Sequence, residues 1–200
     1  MNDKIPTLED IRSTAAAIAP HVAVTPVASW FGPSVARFLG PDAEVLMKLE
    51  ILQRTGTFKA RGAMANALAF SRDGKPLGLT AASAGNHAIA TAWAARRIGV
   101  PAKVAMVKTA NPMRVALAEF EGATVIKTDD AASAFATAER IRREDGYAFV
   151  HPFDGHTTAC GTGTLGSEVL AQVPNADAVV VSLGGGGLAG GMAHAIKLIN

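Results

Sequence analysis

Cysteine is almost absent from this sequence, in which Cys160 is the only one. One cysteine excludes an internal disulfide framework and is typical of a protein from a reducing compartment. No uninterrupted apolar run reaches the length of a membrane-spanning helix, and the segment Met1–Pro6 lacks the apolar core of a signal peptide. We therefore expect a cytoplasmic protein that contacts no membrane.

Charge is also sparse, since 18% of the residues are charged and the formal net charge is +2. The basic residues are scattered apart from the run 140–143, which is followed at once by Glu144 and Asp145. Such a mixed run is typical of a solvated helix face, so no nucleic-acid partner is expected. Hydrophobic residues make up 49% of the 200 positions, which is enough for the core of one or two globular domains.

The hydrophobic pattern alternates between the periods of strands and of helices. Short apolar runs predict strands at 45–49, 78–82, 102–107, 124–127, 147–150 and 178–181. Helical spacing and capping residues predict helices at 7–20, 57–70, 86–98, 111–122 and 130–146, another that follows Gly163, and a last one from Leu188. Strands that alternate with helices of ten or more residues predict parallel βαβ units and hence an α/β fold.

Lys59 follows a predicted strand and a glycine turn at Gly56, where a helix is expected to begin. Thr57 is a candidate N-cap, which places Lys59 in the first helical turn. The partial positive charge of a helix N-terminus disfavours a cation, so the pKa of this amine should be lowered. A neutral amine is what Schiff-base chemistry requires. On position alone, however, an ordinary surface lysine is the commoner outcome.

Two turns between a strand and a helix are candidate anion sites, namely Ser83–His87 and Gly184–Gly187. Backbone N–H groups at a helix N-terminus bind anions, and four consecutive glycines carry an entropy cost that close wrapping of a phosphate would explain. A tight turn would need only one or two glycines. A dinucleotide site is a further alternative, because Gly185, Gly187 and Gly190 match G-x-G-x-x-G, but the position of the acidic residue that completes the fingerprint falls after Asn200.

Three stretches together resemble fold type II pyridoxal-phosphate enzymes, specifically the threonine/serine dehydratase and serine racemase family. They are Thr55–Ala63, Ala82–Ala88 and Gly184–Leu188, in the order and spacing of that family. The resemblance implies a tryptophan synthase β-like architecture of two α/β domains with three-layer parallel sheets. Residues 1–71 and 154–200 would form the large cofactor domain, and residues 72–153, entered through a polar turn at 71–76, the small domain with the substrate loop.

The resemblance also implies a role for individual residues. Lys59 would bond the aldehyde of pyridoxal 5'-phosphate, with Phe58 against the pyridine ring and Asn86 on the ring hydroxyl. The phosphate would bind to the backbone of Gly184, Gly185, Gly186, Gly187 and Leu188. The substrate carboxylate would bind to the loop of Ser83, Ala84, Gly85, Asn86 and His87, although His87 could equally be a local helix-start residue. Arg61 is expected to pair with a carboxylate of the framework. Three other histidines, His151, His156 and His194, lack the spacing of metal ligands and are expected to be structural.

The implied reaction is the elimination of water from a β-hydroxy amino acid such as L-threonine or L-serine, which yields a 2-oxo acid and ammonia, with Lys59 as general base. Ala84 stands where the racemases carry a second serine, and a methyl group moves no protons, so elimination is favoured over racemisation. The stretch Gly161–Thr164 has threonine where glutamine is expected. The resemblance places the family's last third, with the pyridine-nitrogen partner and a cation site, outside these 200 residues, and suggests a homodimer.

Several other functions stay open on the sequence alone. A pyridoxal-phosphate racemase, or a dehydratase for hydroxyaspartate or phenylserine, would keep the cofactor and change the substrate or the outcome. A nucleotide-binding oxidoreductase would use the glycine loop and leave Lys59 without a role. A non-catalytic fragment would keep the fold and lose the cofactor.

Overall fold

The computed structural model describes residues 4–40, 42–72, 74 and 76–200, so Met1–Asp3, and Asp73 and Lys75 of the predicted polar turn, lie outside it. The helices are α1 Leu8–Ile18, α2 Pro33–Leu39, α3 Lys59–Arg72, α4 Asn86–Ile98, α5 Pro112–Phe120, α6 Ala131–Glu144, α7 His156–Gln172 and α8 Gly187–Ile199. The strands are β1 Val27–Trp30, β2 Val45–Lys48, β3 Leu79–Ala82, β4 Ala102–Val107, β5 Ala123–Thr128 and β6 Ala148–Phe149. Across these described ranges, no helix combines the length and the apolar character needed to cross a bilayer.

Strands β3 to β6 form a parallel sheet in the order β5-β4-β3-β6. Successive strand residues point to opposite faces, and burial follows that rule. Ala82 and Ala105 pack against α6 on one face, whereas Ala81 and Val104 join the core that contains α4 on the other. The predicted α/β class, with three layers and parallel strands, is therefore confirmed. The two remaining strands, β1 and β2, pair antiparallel as a separate ribbon.

Local capping explains where three of the helices begin. Thr7 and Asp10 form a capping box at α1, the Asn111 side chain accepts the Met113 N–H at 2.8 Å at α5, and Asp130 forms a second capping box with Ser133 at α6. Each side chain satisfies a backbone donor that the helix itself leaves unpaired. All three starts agree with the sequence prediction.

Helix α7 begins much earlier than predicted, at His156 instead of after Gly163. Glycine is a poor helix former, which is why the helix was expected only after Gly163. The structure shows what those glycines are for. A Cβ on Gly161 would lie 2.7 Å from the Cα of Gly62 in α3, and a Cβ on Gly166 would lie 2.7 Å from the carbonyl oxygen of Met192 in α8. The glycines let α7 pack directly against the backbones of both neighbouring helices.

The strand predicted at 178–181 is wrong, because residues 173–186 form neither helix nor strand. A strand needs a hydrogen-bonded neighbour, and no strand of the described residues lies beside this segment. Val181 still packs against the cluster of Leu165, Val169 and Met192, but Val180 is 99% exposed.

The predicted small domain, residues 72–153, contains the whole parallel sheet together with α4, α5 and α6. Of the helices outside it, α1, α3, α7 and α8 pack on one another. One core crosses the proposed boundary, since Met64 and Ala67 of α3 belong to the same buried cluster as Ala88 and Trp93 of α4. The division of the chain into two domains stays a prediction.

Candidate active site

Lys59 is the first residue of α3, and its side chain is half-buried. The Thr57 hydroxyl oxygen accepts the Lys59 backbone N–H at 3.4 Å, and the Lys59 ammonium donates to the carbonyl oxygen of Pro152. Burial lowers the pKa of the Lys59 amine below its usual value. A lowered pKa agrees with the sequence prediction. Its cause, however, is desolvation of the charged amine, where the prediction invoked the helix N-terminus. The neutral amine is consequently easier to reach than in an exposed lysine.

A buried ion network holds the helix that carries Lys59. The Arg61 guanidinium donates to Glu50 at 2.8 and 2.9 Å and to Glu168 of α7 at 2.8 Å. Burial opposes the charge, but the hydrogen bonds to both carboxylates outweigh it and raise the pKa of Arg61. The expectation that Arg61 pairs with framework carboxylates is confirmed. The network ties the first turn of α3 to α7.

One narrow cavity brings together several of the predicted site residues. Its lining includes Phe58, Lys59, Gly62, Ala63, His87, His151, Pro152, Thr158, Thr162, Gly187 and Leu188. The amine of Lys59 lies 5.1 Å from the centroid of the Phe58 ring. Phe58 and Leu188 also pack against the same small core cluster. The start of α3 and the start of α8 thus meet at one cavity. The remaining predicted residues, Ser83, Ala84, Gly85, Asn86, Gly184, Gly185 and Gly186, do not line it.

The glycine loop has a structural reason for three of its four glycines. A Cβ on Gly185 would lie 2.5 Å from the Phe153 ring, and one on Gly187 would lie 2.5 Å from the Phe153 carbonyl oxygen. Gly186 adopts φ +87°, a conformation that favours glycine. Helix α8 begins at Gly187 with no side-chain cap, so its first N–H groups are left for a ligand. An uncapped, positively polarised helix end fits a phosphate.

The loop of Ser83–His87 connects the carboxyl end of β3 to α4. Its N-cap residue, Gly85, offers no side-chain cap, and the Ser83 hydroxyl oxygen accepts the Gly85 N–H at 3.1 Å. Exposed Ala84 and half-buried Asn86 flank Gly85. This loop therefore presents a second uncapped helix end, which suits a carboxylate. Helix α7, at Gly155, begins without a side-chain cap as well.

Arg114 is a neighbour of this loop that the sequence reasoning missed. Its side chain covers Gly85 so closely that a Cβ there would lie 2.5 Å from an Arg114 guanidinium nitrogen. A guanidinium beside an uncapped helix end adds a second positive group for an anion. A signal was available, because Arg114 lies in the first turn of α5, just after β4, and carboxyl ends of neighbouring parallel strands share one edge.

His87 is buried and joins the cavity from the start of α4. Its Nε2 lies 2.9 Å from the carbonyl oxygen of Val150, so the ring carries its proton there and donates. Burial lowers the pKa of His87 to about 3, with the hydrogen bond to Val150 opposing the shift and Lys59 adding to it. The ring is neutral at physiological pH and is a hydrogen-bonding group that fixes the loop against β6.

Two further lining residues had been assigned no role in the site. Thr162 of α7 donates to the carbonyl oxygen of Gly187 at 2.8 Å, which anchors the glycine loop. His151, expected to be structural, accepts the Asp154 N–H at 2.9 Å through Nδ1 and lines the cavity with Lys59. Burial lowers the pKa of His151.

These observations meet the requirements of a phosphate-bearing aldehyde, because a half-buried amine with a lowered pKa shares a cavity with an uncapped glycine helix end. Residues 18–200 match the family described as pyridoxal-phosphate dependent enzyme. The chain belongs to this family.

Curated relatives and solved structures agree with the family. The chain is 47% identical over 197 residues to phenylserine dehydratase of Ralstonia pickettii, covering 98% of this chain and 59% of the relative. It is 37% identical to L-threonine ammonia-lyase of Thermotoga maritima, covering 97% of this chain and 48% of that relative. It superposes on maize serine racemase with a TM-score of 0.91 at 34% identity, covering 98% of this chain and 59% of that structure. The chain thus spans about half to three fifths of the length of these pyridoxal-phosphate enzyme relatives.

Proposed function

We propose that the protein to which this chain belongs is an ammonia-lyase that eliminates water from a β-hydroxy amino acid. The observation that carries the proposal is the cavity in which the half-buried amine of Lys59 meets the uncapped start of α8. The names of two relatives support the reaction, since one is a phenylserine dehydratase and another an L-threonine ammonia-lyase. L-Threonine and L-serine are the substrates that the sequence resemblance implies, and phenylserine is the substrate in the name of one relative.

The residues fit pyridoxal 5'-phosphate as follows. Lys59 would bond the aldehyde, and Phe58 would lie against the pyridine ring. The backbone N–H groups at the start of α8, from Gly184 to Leu188, would hold the phosphate, and Asn86 would bond the ring hydroxyl. When bound, the cofactor supplies an electron sink for the charge that develops at the substrate Cα. The protein's own groups bind and orient the substrate and move its α-proton.

The amine of Lys59 acts as general base and takes the proton from the substrate Cα. Burial favours its neutral form, which is the form that accepts a proton. The β-hydroxyl then leaves as water, and a water molecule later releases ammonia and the 2-oxo acid, so one water is lost and one is consumed. The loop Ser83–His87 orients the substrate through its carboxylate, with Arg114 as a second positive group.

Racemisation is the alternative outcome for the same site, because relatives and neighbours include serine racemases. A racemase needs an acid or base on each face of the substrate. Ala84 occupies the loop position where a hydroxyl would do this work, and its methyl group carries no proton. Chiral analysis of serine after incubation distinguishes the two reactions, and accumulation of D-serine without 2-oxo acid would overturn elimination.

The decisive experiment is borohydride reduction of the full-length protein with pyridoxal phosphate, followed by peptide mass mapping. We expect one pyridoxyl label, on Lys59, and its loss in Lys59→Ala. Lys108, an exposed lysine paired with Asp129, serves as the internal control. Equal labelling of Lys59 and Lys108, or no label on either, would contradict the proposal. Release of a 2-oxo acid from threonine, serine and phenylserine then measures the activity itself.

We also propose that the protein is a homodimer of the cytoplasm. The resemblance to the dehydratase family supports the dimer, and the single free, buried Cys160 supports a reducing compartment. Light scattering coupled to gel filtration would test the dimer, and a monomeric mass would rule it out.

A further inference from the structure

Four aromatic rings form a continuous cluster beside the candidate site, and we call them the aromatic cluster: Phe135, Phe149, His151 and Phe153. The Phe135 and Phe149 rings meet edge to face with centroids 6.2 Å apart. His151 lies 5.8 Å from each of them and 4.8 Å from Phe153. The chain has eight phenylalanines, and three of them converge here from α6, β6 and the segment behind it.

The aromatic cluster touches each of the three parts of the candidate site. Phe135 and Phe149 pack against the buried cluster of Ala82, Ala105, Ala134 and Ala138, and Ala82 directly precedes Ser83 and the carboxylate loop. His151 lines the cavity of Lys59. The Phe153 ring covers Gly185 in the glycine loop. The cluster therefore reaches the strand that leads into the carboxylate loop, the cavity of Lys59 and the glycine loop.

The four rings of the aromatic cluster are not fully buried. Phe135, Phe149 and His151 are only half-buried, and Phe153 is 41% exposed. Phe149 and His151 also line an open cleft of about 760 Å³, in which Phe70 and Tyr147 add two more rings. Ring edges and faces that stay open beside a cavity offer the edge-to-face and stacked contacts that another aromatic ring prefers. A methyl group would fill little of this space. The guanidinium that also lines the cleft, that of Arg142, is already paired with Glu139.

We propose that the aromatic cluster binds the aryl group of a β-hydroxy-β-aryl amino acid, with Phe135 and Phe149 as specificity-determining residues. The inference rests on the proposed function, because Lys59 and the loop Ser83–His87 place the substrate. The aryl group packs against Phe135 and Phe149, and the hydroxyl on the same carbon stays on the side of Lys59.

The first test compares kcat/KM for L-threo-3-phenylserine and L-threonine in the full-length holoenzyme. The wild type should prefer the aryl substrate, and Phe135→Leu and Phe149→Leu should each lower that preference roughly two- to ten-fold, the contribution of one aromatic pair. The kcat/KM for threonine should change little. Phe120→Leu is the matched control, since Phe120 is 74% exposed on α5 and away from the site. A preference that stays the same in both cluster variants while threonine is converted would overturn the inference.

A second measurement is independent of turnover. Saturation-transfer NMR of the cofactor-free full-length protein, with 3-phenylpropionate and butyrate as probes, reports binding of the aryl group directly. Transfer to the aryl protons should exceed transfer to butyrate and weaken roughly two- to ten-fold in Phe135→Leu but not in Phe120→Leu.

If no β-hydroxy amino acid is converted but this pattern holds, the proposed reaction fails and the aryl site stands. Equal transfer to both probes would overturn the aryl site. A thermal melt checks that each variant folds, and Phe149→Leu replaces Phe135→Leu where it does not.

Discussion

The hydroxyl of Thr162 donates its shortest hydrogen bond, 2.8 Å, to the carbonyl oxygen of Gly187, and so joins α7 to the first residue of α8 at the glycine loop. Thr162 is buried, and two carbonyl oxygens of its own helix, at 3.1 and 3.2 Å, compete for the same hydroxyl proton. The contact with Gly187 positions the loop that would hold the cofactor phosphate.

Replacement of Thr162 should consequently weaken cofactor binding. Thr162→Val keeps the shape and removes the bond to Gly187, which costs about 1 kcal/mol, or roughly a five-fold loss in affinity for pyridoxal phosphate. Thr164→Val is the matched control, because Thr164 is equally buried and its hydroxyl bonds only to Gly161 within α7. Titration of the cofactor by absorbance measures both. Equal affinity losses in the two variants would contradict the positioning role.

One glycine of α7 and one of α8 predict different effects of alanine on stability. Gly161→Ala would force a methyl group to 2.7 Å from the Cα of Gly62, where neither backbone yields easily, and should lower the free energy of unfolding by about 1–3 kcal/mol. Gly190→Ala is the control in α8, where a Cβ meets nothing within 4 Å. It should be neutral or stabilise by up to about 1 kcal/mol, because alanine favours the helix. Urea denaturation measures both, and a stable Gly161→Ala protein would show that α3 and α7 pack less closely.

The Arg61 network should be far more sensitive than a surface ion pair. Arg61→Ala leaves the carboxylate of Glu50 without its ion-pair partner and Glu168 with Lys48 alone, and should cost about 3–5 kcal/mol. Arg142→Ala breaks an exposed pair with Glu139 and should cost under about 1 kcal/mol. Denaturant titration at neutral pH compares the two. Similar losses of stability in the two variants would mean that solvent reaches the carboxylates near Arg61 and stabilises their charge.

His87 predicts a pH dependence of stability with a defined sign. Its pKa is about 3 in the folded state and 6.5 without burial, so between these values the unfolded chain binds a proton that the folded chain does not. Its contribution to stability is complete above pH 6.5 and decreases as the pH falls towards 3, by about 1.4 kcal/mol per pH unit.

His87→Gln removes the titrating group and can still donate to Val150, so the free energy of unfolding should fall less between pH 6.5 and 5 than in the wild type. Denaturant titrations at these two pH values test the prediction. Parallel slopes in His87→Gln and the wild type would show that His87 is protonated in the folded protein.

Local signals predicted most of the fold correctly. Capping residues such as Asn111 and Asp130 act within three positions, so their effect can be read from the sequence. The parallel sheet followed from the alternation of apolar strands and longer helices. The start of α7 was wrong because glycine propensity is local, whereas the reason for Gly161 is a backbone that lies a hundred residues earlier in the chain. The strand at 178–181 was wrong because pairing needs a neighbour, which no single segment reveals.

Only part of the candidate site was predicted from the sequence. Lys59 and the glycine loop could be found because each lies at a junction of strand and helix with a recognisable pattern. Arg114, Thr162 and the aromatic cluster were missed because their importance depends on contacts between distant segments, such as Thr162 with Gly187 and Phe153 with Gly185.

Helix α7 lies with its backbone directly against both α3 and α8, and no flexible side chain separates these helices where the glycines meet their neighbours. A side chain at such a contact could change rotamer and let the helices slide, whereas backbone against backbone admits a single spacing. The lysine at the start of α3 and the loop at the start of α8 are thereby held at a fixed span before any cofactor arrives. The glycines of α7 thus set the distance between the two groups that we propose to bind the aldehyde and the phosphate of the cofactor.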